Sequence, residues 1–296
     1  MLIMYHRFTT RSNTKQSTRT DSNSTYIVCS LMCGFILTGV FWFYYQHSKP
    51  SPPEKVAAAK ANHFNSQLSS ITPTAVAIYR GLAFFTLFVV QVVQYATTDG
   101  LDGLFVPLSY FTVWNFHLCI LVLGLSLYGS VRNLRNKQQQ PRIENDVVLR
   151  AAQLLLQVEL SSLLLVVLVT WTVLLPSIED KSALLNFTSY FQHGINAVLL
   201  LIEFALNATK FNPRNLGYVI LWPTMYAVFH MIYTGLGNNY AIYFFLDMTT
   251  PFTIATFLVL LAIHVLFFYV CKFLGRFKKN EDIAEQELKG AGLSLV

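Results

Sequence analysis

Residues 183–206 read ALLNFTSYFQHGINAVLLLIEFAL, a stretch long enough to cross a bilayer that nevertheless carries His193, Asn196 and Glu203. At about 1.5 Å per helical residue, some 20 residues span the hydrocarbon core. An ionisable group at that depth is retained where a partner, a cavity or a reaction uses it. The stretch therefore sets both the fold class and the place to look for function.

Composition supports the same class. Of 296 residues, 54% are hydrophobic, 15% aromatic and only 12% charged, too few charges to cover an ordinary soluble surface. The chain reads as an all-α, multi-pass integral membrane protein. The formal charge of +6 sits in tails and connections rather than on one basic face, so nucleic acid is not an expected partner. Cys29, Cys33, Cys119 and Cys271 all lie in or at the end of apolar stretches, where a thiol packs as a small hydrophobe.

Residues 1–25 are rich in Ser, Thr, Asn and Arg and cannot bury enough surface to order themselves. Residues 26–46 form a hydrophobic segment that is either an anchor or an extra span. Its bulky FWFYY end lacks the small residues of a signal-peptide cleavage site. A Pro-containing linker occupies 47–71. Six further apolar stretches follow, at about 72–96, 108–131, 147–175, 183–206, 215–236 and 250–275, each of spanning length. The expected architecture is a six-transmembrane-helix bundle over 72–275, with the additional N-terminal segment before it and a tail at 276–296.

Positive residues in the connections alternate. Lys49, Lys55 and Lys60 precede the bundle, 97–107 has none, and Arg132, Arg135, Lys137 and Arg142 follow the second stretch. Lys181 stands alone in 176–182, Lys210 and Arg214 come next, and 237–249 has none. After the last stretch come Lys272, Arg276, Lys278 and Lys279. Basic residues near short loops stay cytoplasmic, so both ends of the bundle are expected on the cytoplasmic side, in the endoplasmic reticulum or plasma membrane. Asn186-Phe187-Thr188 is a glycosylation sequon on the outer side.

Depth then sorts the polar residues. Thr112 lies about four residues below the outer end of its stretch, roughly 6 Å, and His193 roughly 9 to 15 Å below the same side. A threonine hydroxyl becomes a nucleophile when a neighbouring base takes its proton, and neutral imidazole is such a base. Asn196, one turn from His193, is a candidate orienting or oxyanion group. Glu203 and Arg80 share the cytoplasmic half and are expected to form a structural ion pair, with Glu159 a competitor for Arg80.

Four blocks, YFTVWNFHL at 110–118, HGIN with VLLLIE within 193–203, LWPTMYAVFHMIY at 221–233 and YAIYFFLD at 240–247, resemble the rolling stone and androgen-induced-protein family. The likeness extends over about 72–275. It implies, for the androgen-induced branch, a membrane threonine hydrolase that cleaves fatty acid esters of hydroxy fatty acids. Thr112, in Tyr110-Phe111-Thr112-Val113-Trp114, matches the catalytic threonine and His193 the catalytic histidine. The hydrolase branch carries Asn-His-x-x-His before that position, whereas this chain has Ser189-Tyr190-Phe191-Gln192-His193. Its His-x-x-Asn, ending at Asn196, is nearer the rolling stone branch, which is tied to myoblast fusion.

The expected partners are thus the lipid bilayer and a branched fatty acid ester, with no cofactor and no metal. Two other classes stand beside this one. One is a non-enzymatic membrane protein of cell fusion or membrane organisation. The other is a haem-binding electron carrier using two of His117, His193, His230 and His264.

Overall fold

The computed structural model describes Gly34 and residues 71–97, 106–135, 147–236, 241–248, 250 and 252–278. The N-terminal tail, nearly all of the 26–46 segment, the linker up to residue 70 and most of the C-terminal tail lie outside these residues. The described residues form helices joined by short turns, with no strand among them.

Six helical rods follow one another. Helix α1 is Pro73–Ala96; the Thr72 side chain caps it by accepting Ala75 N–H at 3.2 Å, with Pro73 in the first turn where its missing N–H costs nothing. Helix α2 is Phe111–Arg135. Helix α3 begins as Val147–Val169 and runs on through a π turn, Thr170–Leu174, to Leu175–Ser177. Helix α4 comprises Phe187–Tyr190, a second π turn Phe191–Ile195, and Asn196–Leu206. Helix α5 is Leu216–Met231, entered by a 3₁₀ turn at Pro213–Asn215 and left by a third π turn at Ile232–Leu236. Helix α6 is Phe252–Leu274.

Five of these rods are long and apolar enough to cross a membrane; α4 is not among them. The reason is compositional. Gln192, His193, Asn196 and Glu203 lower the hydropathy of α4, and all four are buried inside the protein rather than turned outward. The outward faces are apolar, with Leu82, Phe85, Val259, Leu266 and Phe273 all more than half exposed. An apolar surface of that kind suits lipid, not water.

Helix α3 lies at the centre, packed against α2, α4, α5 and α6, while α1 closes the other side on α2 and α4. Leu87, Phe116, Val122, Leu160, Leu163 and Leu200 form the middle of the main core. Gly124 is required there by close approach, since a Cβ would meet the Phe84 ring at 3.0 Å.

Two helix starts differ from the sequence expectation. The second helix starts at Phe111 rather than 108, because Pro107 opens a separate 3₁₀ turn, Pro107–Ser109, and Tyr110 is extended. Pro107 and Ser109 are buried, so α2 begins inside the protein instead of at its rim. Thr112 is therefore the second residue of its helix, not the fifth. The fourth helix starts at Phe187 rather than 183, because the Asn186 side chain of the sequon accepts Ser189 N–H at 3.0 Å and caps it there.

Candidate functional site: a hydroxyl-lined cavity beside His193

The site is built where α2 starts and where α3 and α4 each carry a π turn. A π turn displaces one residue from the regular ladder, and such insertions recur at functional sites. In α4 the displacement is visible in the bonding. Ala197 N–H reaches Asn196 Oδ1 at 2.8 Å, and the His193 carbonyl accepts the Trp171 indole N–H at 2.7 Å. The two π turns are thereby joined, and the Trp171 and Tyr190 rings stack over the junction.

The His193 ring is turned into the protein and is only 2% exposed. Its Nδ1 lies 3.2 Å from Thr170 Oγ1. The depths agree: Thr170 is seven residues from the end of α3 and His193 six from the start of α4, about 10 Å in each case. Thr112 is also buried; its Oγ1 makes no close hydrogen bond, and the group it interacts with is the Tyr243 hydroxyl. The structure therefore does not join Thr112 directly to His193; the imidazole's partner is Thr170.

Thr112 and Thr170 nonetheless meet one space. A cavity of about 80 Å³ is lined by both threonines, by Phe111 and Val166, by Pro223 and Tyr226 of α5, by Tyr243 of the 241–248 connection, and by Phe257, Leu260 and Leu261 of α6. Its walls are almost wholly apolar. The hydroxyls are fixed from outside: Tyr243 accepts Phe111 N–H at 3.1 Å, and Tyr226 donates to the Ser109 carbonyl at 2.9 Å. Trp114 donates to the Leu108 carbonyl at 2.7 Å and packs on Trp222 and Tyr226, holding the first turn of α2 in place.

Asn196, expected as an orienting or oxyanion group, donates from Nδ2 to the Gln192 carbonyl at 2.9 Å and takes Ala197 N–H on its Oδ1, both within its own helix. Gln192 instead joins a buried amide cluster, donating to Gln94 Oε1 at 2.7 Å, which also accepts from Gln91 at 3.2 Å.

At the opposite end of α4 the structure brings Arg80 and Glu203 together. Arg80 Nε and Nη2 meet the two carboxylate oxygens at 2.9 and 2.8 Å, a bidentate pair, and Arg80 also donates to Ser130 Oγ. Asn207 adds a bond to Glu203 Oε1 at 3.1 Å. Glu159 does not compete for the guanidinium; both its carboxyl oxygens are buried without a partner among the described residues. Just beyond α6, Lys278 Nζ is folded over the Phe204 ring and donates to the carbonyls of Phe204, Asn207 and Thr209. Burial pushes its ammonium down to about 7, against the pull of Glu203 in the other direction.

The remaining histidines are held separately. His117 donates from Nδ1 to the Val113 carbonyl at 2.7 Å, which leaves Nε2 to accept from Tyr95 at 3.2 Å. His264 Nε2 lies 3.1 Å from Ser162 Oγ. His230 packs its ring against Tyr226. The described residues contain no group of three or more His, Cys, Asp or Glu side chains placed to hold a metal ion.

Sequence reasoning missed Thr170 and Tyr243. Thr170 sits in VVLVTWTVLLP without any motif, although its distance from the C-terminal end of α3 matches that of His193 from the start of α4. Tyr243 lies in a connection, and nothing in its local sequence places it beside α2.

Together these features define an all-helical, multipass membrane protein with an apolar cavity lined by Thr112 and Thr170. Comparison with protein families, curated proteins and solved structures finds no match to the chain.

Proposed function

We propose that the protein is an intramembrane lipid-ester hydrolase of the androgen-induced type, acting on fatty acid esters of hydroxy fatty acids. Thr112 is its nucleophile and His193 the acceptor of the nucleophile's proton. The observation that carries this reading is the shared cavity: buried Thr112, whose hydroxyl makes no close hydrogen bond, lines the same apolar space as Thr170, whose hydroxyl is bonded to His193. A hydroxyl left unpaired in such surroundings costs stability, roughly 1–3 kcal/mol, and is explained if a substrate completes it.

The wall of Phe257, Leu260 and Leu261 suits an acyl chain arriving sideways from the bilayer. At about 80 Å³ the cavity is smaller than the ~150 Å³ space that holds a benzene, so it admits an ester group and a few methylenes while the chain continues along α6. In this reading six helices cross the membrane. Helix α4, the most polar, is carried across by its neighbours because its polar groups are bonded inward. Both ends of the bundle, including the C-terminus, lie in the cytoplasm, and the membrane is that of the endoplasmic reticulum or the cell surface.

The test is labelling by a fluorophosphonate probe together with hydrolysis of a branched fatty acid ester by protein in detergent or vesicles. Wild-type protein is expected to take up the probe and release free hydroxy fatty acid, and Thr112→Ala to lose both. His193→Ala should lower the rate by about 10²–10⁴-fold, the usual worth of a general base. Wild-type protein that neither labels nor cleaves refutes the hydrolase and leaves the non-enzymatic, fusion-related class.

A further inference from the structure

Threonines in these helices have a common habit. Thr172, Thr224, Thr234 and Thr256 each donate to the carbonyl four residues earlier, at 2.8, 2.7, 2.7 and 3.1 Å. This is the default for a hydroxyl in an apolar helix, where no water competes. Thr112 cannot follow it. It lies in the first turn of α2, and the Leu108 carbonyl is occupied by the Trp114 indole. Thr170 stands at the start of the π turn, and its hydroxyl is turned across to His193 Nδ1 at 3.2 Å.

Thr170, 1% exposed, lines the cavity; His193 does not. Thr170 thus stands between the cavity and the imidazole. We propose that Thr170 is a proton-relay residue between Thr112 and His193. The inference rests on the hydrolase reading above and names the route by which its base is reached.

A hydroxyl suits that place because it accepts and donates at once, which an aliphatic group of the same shape cannot do. In the first step the Thr112 O–H bond breaks as its oxygen forms a bond to the ester carbonyl carbon. Once bound substrate has brought the two hydroxyls within reach, the proton passes to Thr170 Oγ1, while the proton already on Thr170 moves to His193 Nδ1. The imidazole therefore enters the step with its hydrogen on Nε2 and leaves it as imidazolium. As the tetrahedral intermediate collapses, the carbon–oxygen bond to the hydroxy fatty acid breaks, and the same route returns one proton to that leaving alkoxide. Water then attacks the acyl-Thr112 ester and loses its proton along the relay. Free fatty acid departs, the proton returns to Thr112, and the groups are restored.

A purely structural bond between α3 and α4 would give a different response to substitution. The test compares Thr170→Val, Thr170→Ser, His193→Ala and the double variant Thr170→Val/His193→Ala, each checked for a monodisperse, cooperatively melting protein. The expected results are a kcat of Thr170→Val down by about 10²-fold with KM little changed, and a Thr170→Ser rate within about tenfold of wild type. The double variant should be no slower than His193→Ala alone, since residues acting as one unit are not additive. The probe adduct should lie on Thr112. Full activity in Thr170→Val, with wild-type turnover still dependent on Thr112, overturns the relay and spares the hydrolase. An adduct on Thr170 overturns it by making Thr170 the nucleophile. Absence of wild-type turnover removes both the hydrolase and the relay.

Discussion

Glu203 has both carboxylate oxygens committed, to the Arg80 guanidinium at 2.8 and 2.9 Å and to Asn207 at 3.1 Å, with the pair withdrawn from solvent. Removing one member of such a pair strands the other charge, whereas replacing both by apolar groups does not. Glu203→Gln is therefore expected to lower stability by roughly 3–5 kcal/mol, and Arg80→Met/Glu203→Leu to recover most of that loss. Thermal unfolding in detergent measures both. A double variant as unstable as the single would show that the pair is worth more than the burial that replaces it. The same distinction between a committed group and a spare one separates Asn196 from Thr112. The former bonds within its own helix, while the latter lines the cavity with a hydroxyl that makes no close hydrogen bond. Residue type alone could not tell them apart, because both are polar residues in apolar helices.

Elements hold what single residues cannot: the π turns of α3 and α4 fix the depth and rotation of His193. The bond from Trp171 to the His193 carbonyl is the joint between them. Trp171→Phe keeps the ring that stacks on Tyr190 but removes the donor, leaving a buried carbonyl unpaired. It should cost roughly 1–3 kcal/mol in stability and slow turnover without abolishing probe labelling of Thr112. Complete loss of labelling would show that the joint shapes the nucleophile's side as well. The six rods were legible as apolar stretches, and their ends fall close to the sequence boundaries because Thr72, Asn186 and Asn212 supply caps. The π turns were not legible. They depend on Ala197 N–H choosing the Asn196 side chain and on an indole from another helix, neither of which has a local sequence signature. The late start of α2 escaped for a related reason, since Pro107 is compatible with the first turn of a helix as well as with the separate turn it forms.

Among the described residues, the groups of the cavity and the buried charges form two layers. Ten residues of α4 separate His193 from Glu203, about 15 Å of helix. One layer holds the histidine, the threonines and the tyrosines of the cavity. The other holds Arg80 with Glu203, Lys278 with the end of α4, and Gln157, which accepts from Asn212 N–H and the Asn215 side chain at 2.9 and 3.1 Å. The charged layer adjoins the connections rich in Lys and Arg, which the positive-inside rule assigns to the cytoplasm. In that proposed orientation the cavity lies on the side of the outer leaflet, from which the lipid substrate of the proposed hydrolase would come. Cysteine accessibility reads this orientation directly. Cys119 and Cys271 are buried, so a chain with Cys29 and Cys33 replaced by Ser should give little background. Ser182 lies exposed between α3 and α4, and Pro213 lies exposed between α4 and α5. In that background Ser182→Cys should react with a membrane-impermeant maleimide on intact cells or sealed right-side-out vesicles. Pro213→Cys should react only after permeabilisation. The reverse pattern would turn the molecule over and place the Thr112 cavity in the cytoplasmic leaflet. Reaction of both on sealed membranes would mean that α4 does not cross at all, which would remove the depth match between Thr170 and His193 from the argument for the site.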